Sequence, residues 1–192
     1  PFCAPKKYWD LYDAKSIDVP ANYRIPDDVP ENAPHSSGEL RNYAGIPPTG
    51  PIDRIEARKL IHGYYACVSF MDAQLGRLLR ALDDKGLADN TVIVLWGDHG
   101  WQLGDHGMWC KHSCFETSMH APLLVSAPGM AKGAATPGLT EFIDIYPSLC
   151  DLAGIEIPSH VEGQSFVPRL RDPSLPGKES AVGRFTFGDT IR

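Results

Sequence analysis

Apolar positions along the chain fall into three textures. The first is an unbroken run, Thr91 to Trp96 (TVIVLW), which follows the turn-forming Asp89-Asn90 and stops at Gly97. A short β-branched run of this kind predicts a buried central strand of the parallel type, covered on both faces. Leu123 to Ser126, after Ala121-Pro122, predicts a second short strand. The second texture is helical. Between Asp53 and Lys85 apolar residues recur in three- and four-residue steps at Leu60, Tyr64, Cys67, Val68, Met71, Leu75, Leu78, Leu79 and Leu82. Asp53 and Glu56 have the spacing of a capping box, and Gly86 is placed to end the helix. Asp72 falls inside the apolar stripe, which predicts a buried carboxylate serving as a hydrogen-bond hub. Asp144 is placed to cap a helix from Ile145 to Ala153, with Pro147 tolerated in its first turn and Gly154 at its end.

The third texture has no period. From Ile17 to Pro51, prolines 20, 26, 30, 34, 47, 48 and 51 break any long element, which predicts an irregular surface excursion. Weaker signals predict a short amphipathic turn over Pro5 to Tyr12, a short strand over Leu139 to Ile143, a helical turn over Val167 to Arg171 and a strand starting at Ser180 to Phe185. That last strand has no evident partner before Arg192. It is therefore expected to be an unpaired edge, and the sequence to be truncated there. Helices alternating with short buried strands predict a layered α/β sheet.

Composition narrows the picture in a few places. The 192 residues are 43% hydrophobic and 22% charged, with a net charge of −6. A surface for nucleic acid needs a basic patch, so that class is not expected. No run approaches the roughly 18 apolar residues of a membrane span. The five cysteines are scattered. Cys110 and Cys114 lack the second pair a zinc site requires. Cys67 and Cys150 sit among apolar neighbours and read as buried small hydrophobes.

Chemistry concentrates where the first strand ends. Gly97-Asp98-His99-Gly100 places a carboxylate and an imidazole at the carboxyl end of a strand, where ligands gather in open α/β sheets. Asp98 and His99 are metal-donor types, and a carboxylate with further oxygens suits a hard cation. A second Gly-Asp-His-Gly follows at 104–107, and Trp109, Cys110 and Lys111 close the loop. A lysine there can clamp a tetrahedral oxyanion, being a mobile point charge with three donors.

The stretch GDHGWQLGDHGMWCKHSCFE resembles the second metal-and-sulfate motif of the type I, formylglycine-dependent sulfatases, and among them the iduronate-2-sulfatase-like branch. PF-x-x-P-K-x-Y at the start, YYACVSFMDAQLGRLLRALDD, HAPLLVSAPG, IDIYPSLCDLAG and EGQSFVPRL extend the resemblance over most of the chain. The resemblance implies an alkaline-phosphatase/sulfatase-like layered sheet flanked by helices. Residues 1–158 would be the later part of the catalytic domain, and 159–192 the start of a small C-terminal subdomain. It implies one divalent cation, Ca2+, and a formylglycine made from the Cys or Ser of C/S-x-P-x-R. By the same resemblance Asp98 and His99 are metal ligands, and Lys111 grips the sulfate. Trp101 is a substrate wall, His106 a candidate catalytic group, and His112 packs beside or orients the lysine. His120 stands where many sulfatases have arginine and carries no assignment. His35, His62 and His160 are expected to be solvated.

The departures are as informative. The family's early Asp-Asp pair has no counterpart: Asp27-Asp28 lies among prolines, and Asp83-Asp84 ends the long helix. Cys3-Ala4-Pro5-Lys6-Lys7 imitates C-x-P-x-R with lysine for arginine, whereas Pro1, Phe2, Pro5 and Tyr8 match a segment downstream of the nucleophile. The chain is thus expected to be a fragment of a longer enzyme, with half a metal site and no activity of its own. The parent would cleave sulfate from a sulfated sugar or another small sulfate ester. Family habit implies a periplasmic, secreted or lysosomal setting. Two alternatives stay open: a phosphate or phosphonate monoester hydrolase of the same superfamily, and a non-catalytic anion- or sugar-binding remnant.

Overall fold

The computed structural model describes residues 2–186 and 188–192. Pro1, the first residue of the PF-x-x-P motif, and Phe187 lie outside the described residues. In chain order the elements are α1 (Lys6–Trp9), α2 (Gly38–Arg41), α3 (Arg54–Asp84), β1 (Ile93–Trp96), β2 (Gln102–Leu103), β3 (Trp109–Cys110), α4 (Glu116–Met119), β4 (Leu123–Ser126), α5 (Ile145–Ala153), α6 (Val167–Arg171), β5 (Val182–Phe185) and β6 (Gly188–Ile191). They divide between two compact units. One joins the chain up to Gly86 with Asp98–Ala121; the other joins Leu87–Gly97 with Pro122–Arg192.

The first unit is built on α3. The Asp53 carboxylate accepts from the backbone N–H groups of Ile55 and Glu56, so the N-cap forms as the sequence predicts. The reciprocal half of a capping box does not, because Glu56 turns to Lys59 at 3.3 Å. The buried face also differs from expectation. It consists of Ala57, Ile61, Gly63 and Ala66, while Val68, Met71, Leu78 and Asp72 are exposed. Asp72 is therefore no buried hub. The buried positions all lie in the first half of the helix and the apolar stripe beyond Ala66 stays largely uncovered, while the small residues of the first half admit close packing. Trp9 of α1 uses this closeness: a Cβ added at Gly63 would come within 2.9 Å of its ring. His62 is not solvated, since its Nε2 lies 2.8 Å from Trp9 O and its ring 4.8 Å from the indole.

The 17–51 stretch is irregular and mostly exposed, as expected, but it is anchored at a few points. Ile17, Val19, Leu40 and Ile46 join Ile52, Ala57, Ile61, Trp109 and Cys110 in one hydrophobic cluster. Single apolar anchors between prolines leave no period to detect, but each contributes burial worth about 1.5–3 kcal/mol.

In the second unit β1 pairs with β4 from Ile93↔Ser126 to Trp96↔Leu123, and the pairing is antiparallel. β1 is also less buried than expected, with Leu95 42% and Trp96 47% exposed. An apolar run reports a preference for cover on both faces, not the direction of its neighbour. α5 has the predicted bounds, but Asp144 does not cap it. Its fully buried carboxylate accepts from Glu141 N and Gln164 N, each at 2.8 Å, and pairs with Lys178 Nζ at 2.8 Å. Phe142–Asp144 is a 3-10 turn instead of part of a strand, and only Leu139 makes a bridge, to Lys178. β5 is not an unpaired edge: β6 pairs with it, Val182↔Ile191. Among the described residues no helix is long and apolar enough to cross a membrane.

Candidate active site

The site residues sit on the 98–112 loop of the first unit, and buried polar contacts fix its path. Gly100 N donates to Ser118 O at 2.7 Å, and a Cβ there would stand 2.1 Å from Thr117 O, so only glycine fits. The fully buried Gln102 amide donates to Ser113 Oγ at 2.6 Å and Ser118 Oγ at 2.9 Å. β2 and β3 pair Gln102↔Cys110 and Leu103↔Trp109, which folds the loop back so that Lys111 returns to the beginning of the same loop. Cys110 takes φ +72 and is buried; burial pushes its thiol up to about 11, which keeps it protonated and inert. Among the described residues no cysteine is in a disulfide, and Cys150 is buried and Cys67 half-buried.

Asp98 projects its carboxylate, 86% exposed, and His99 Nε2 lies 3.5 Å from its Oδ2. His99 Nδ1 is 2.8 Å from Gly100 O. A carbonyl oxygen only accepts, so Nδ1 carries the hydrogen and Nε2 is the nitrogen turned to Asp98. One carboxylate oxygen and one imidazole nitrogen side by side suit one flank of a hard-cation site, which takes six or more ligands. Among the described residues no three or more His, Cys, Asp or Glu side chains converge. The two donors thus fit a cation as part of its shell.

Trp101 stands next in the loop, 6.0 Å from the His99 ring, 5.2 Å from Phe2 and stacked at 6.4 Å on Tyr64 of α3. Lys111 Nζ lies 5.1 Å over the Trp101 ring, within cation–π range. Lys111 also pairs with Glu39 Oε2 at 3.1 Å, and His112 Nε2 lies 3.6 Å from the same oxygen. Asp98, His99, Trp101, Lys111 and His112 are therefore linked by successive contacts. His106 is not in that chain. Its φ is +55, its backbone N donates to Asn22 O at 3.0 Å, and its ring packs 4.9 Å from Phe115. His120 pairs with Glu116 at 2.9 Å on α4, and His160 is exposed as expected.

The sequence does not mark Glu39, Tyr64 or His35 as neighbours of the site. Tyr64 lies at helical spacing and reads as core. Glu39 and His35 fall in the aperiodic stretch, where nothing local signals their partner. His35 is not solvated: its Nδ1 accepts from Ser37 N at 3.0 Å, and its Nε2 is buried without a partner. Burial, and then the nearby His112, hold its pKa below the usual imidazole range.

Comparison with known proteins follows the same lines. The model of the family described as Sulfatase matches residues 4–155. Iduronate 2-sulfatase from Homo sapiens is 32% identical over 225 aligned residues, covering 92% of this chain and 41% of the relative. Among solved structures, phosphonate monoester hydrolase from Silicibacter pomeroyi superposes with a TM-score of 0.80 at 30% identity, covering 95% of this chain and 37% of that one. A structure in complex with its substrate D-glucosamine-2-N,6-O-disulfate gives 0.67 at 29% identity, covering 71% of this chain and 30% of that one. These likenesses bear out the alkaline-phosphatase/sulfatase-like α/β class. The chain spans about two fifths of the length of the human relative.

Proposed function

Because the chain belongs to the sulfatase family, we propose that its 98–112 loop forms the anion-binding side of the active site of a sulfuric ester hydrolase. The substrate class is a sulfated sugar or a related small sulfate ester. The observation that carries this reading is the position of Lys111: its ammonium lies over Trp101, beside His112. Trp101 in turn touches the His99 ring next to Asp98.

As the ester's sulfur is attacked, charge builds on its non-bridging oxygens. A pre-placed ammonium stabilises that charge without reorganising at the moment of reaction. Lys111 supplies it, and the Trp101 indole offers an apolar face for a sugar ring and limits water around the lysine. A divalent cation, Ca2+ by family habit, would be held in part by the Asp98 carboxylate and His99 Nε2, and when bound it adds further positive charge against the anion. The Gly100 carbonyl fixes the His99 tautomer that leaves Nε2 for that task. The formylglycine nucleophile belongs to a C/S-x-P-x-R motif, which this sequence does not contain.

The test is kinetic and uses the whole enzyme. Asp98→Ala and Lys111→Ala should each lower kcat/KM for a sulfate ester by at least about 100-fold, the scale of losing one oxyanion-stabilising group. Wild-type kinetics for Lys111→Ala would remove it from the anion site. A second reading, phosphonate monoester hydrolysis, is favoured by the 0.80 TM-score with such an enzyme. A paired sulfate and phosphonate ester panel separates the two by which ester gives the larger kcat/KM.

A further inference from the structure

Glu39 has no part in the mechanism above, yet its carboxylate touches two residues of the proposed anion site. Its Oε2 is 3.1 Å from Lys111 Nζ and 3.6 Å from His112 Nε2, and the three side chains are 29–36% exposed. Its placement is fixed by structure on both sides. Leu40, its neighbour on α2, is 2% exposed in the core. Ser37, which precedes α2, takes φ +59, is buried, and accepts from Trp109 N at 3.1 Å. Residues 37–40 are therefore tied to β3, the strand that leads into Lys111, which holds the carboxylate near the lysine.

A carboxylate in this position does two things. It orients the ammonium, and it cancels one unit of the positive charge offered to the ester. The second effect depends on the charge of the ester. A sulfate monoester or a phosphonate monoester carries one negative charge, whereas a phosphate monoester carries nearly two at neutral pH. Repulsion from Glu39 is felt about twice as strongly by the dianion as by the monoanion.

We propose that Glu39 is a specificity-determining and positioning residue that tunes the Lys111 site to singly charged esters and against phosphate monoesters. This rests on the assignment of Lys111 to the ester anion. The residue touches the lysine, not the reacting atoms, so its signature is a change in discrimination beyond any common loss of rate.

The experiment measures kcat/KM of the whole enzyme for an aryl sulfate and the matching aryl phosphate. In Glu39→Gln, or Glu39→Met should the first variant not fold, the phosphate-to-sulfate ratio should rise about tenfold, the scale of one screened charge pair at a partly exposed site. Loss of lysine orientation lowers both substrates together and cancels in the ratio. Glu39→Asp keeps the charge and should stay within about threefold of the wild-type ratio. An unchanged ratio in the neutral variants, or an equal rise in Glu39→Asp, overturns the proposal. Lys111→Ala separates the two levels. If it lowers kcat/KM while the Glu39→Gln ratio is unchanged, only the role of Glu39 falls. If it leaves kcat/KM untouched, the Lys111 reading falls, and this inference with it.

Discussion

A Cβ placed on Gly100 would stand 2.1 Å from the backbone oxygen of Thr117. Backbone cannot step aside as a flexible side chain can, and the 2.7 Å bond from Gly100 N to Ser118 O would have to lengthen. Gly100→Ala should therefore cost about 1–3 kcal/mol, the usual range for overpacking, and move His99 and Trp101 with it. Gly38→Ala is the control, since the nearest atom to its added Cβ is Ser36 Oγ at 3.8 Å. Thermal denaturation of the pair decides: equal melting temperatures would mean that the loop is not held by this contact. The same scale shows which site residues sequence could reveal. Asp98, His99 and Lys111 share one loop, so their meeting was legible in the spacing of glycines and chemistry-bearing side chains. Glu39 reaches Lys111 from a stretch with neither period nor motif, and only the fold brings the two together. Asp72 differs for another reason: the buried part of α3 ends at Ala66, so the carboxylate and its apolar neighbours Val68 and Met71 are all exposed, and a period cannot show where cover stops.

At the scale of elements, the turn before α5 holds a buried charge cluster. Lys178 donates to Glu141 and pairs with Asp144, and its side chain is only 13% exposed. Replacing Lys178 with Met leaves the Asp144 carboxylate buried with two backbone donors and no counter-charge, which should cost about 3 kcal/mol. A loss below about 1 kcal/mol in urea unfolding would show that the two N–H groups suffice. The cluster also sets a pH window. The Lys178 hydrogen bond, then Val182 N, hold the Glu141 carboxyl below its ordinary 4.5. That contribution is present above pH 4.5 and is lost as pH falls through the lower folded value. Burial works against the Lys178 ammonium, but the hydrogen bonds it donates to the Asp144 and Glu141 carboxylates outweigh it and raise its pKa above 10.5, so its contribution is complete below 10.5 and lost only at higher pH. The contribution of this cluster to the unfolding free energy should thus be flat near neutrality and fall in acid, and Glu141→Gln should flatten that acid limb; an unaltered limb would assign it to other carboxylates. α5 and α6 were legible because their periodic positions, proline and glycine are local signals. The failed strand at 139–143 was not, because the Glu141 backbone donor is answered by the Asp144 carboxylate of its own turn instead of by a neighbouring strand.

For the whole molecule two observations bear on what the 192 residues do alone. The first is the donor count: Asp98 and His99 offer two ligands, and among the described residues no third converges with them. A hard cation satisfied by two protein donors keeps most of its water and binds weakly. The second is apolar exposure. Leu95, Trp96 and Leu124 on the β1–β4 pair are 42%, 47% and 58% exposed, and Val68, Met71 and Leu78 of α3 also face outward. Large apolar side chains left open on both an α3 face and a sheet face mark surfaces suited to being covered. Both observations predict that this chain, expressed by itself, will bind an apolar dye strongly and will show no calcium-dependent hydrolysis of an aryl sulfate. The two readouts are independent. Strong dye binding with turnover would mean that the catalytic groups are complete despite the open surface, and the assignment of the nucleophile to a motif outside these residues would fall. Weak dye binding without turnover would instead mean that the apolar faces find cover within the chain or between its copies. In that case the missing activity would trace to the ligand set at Asp98 and His99, a conclusion that calcium titration of the same sample would check by its affinity.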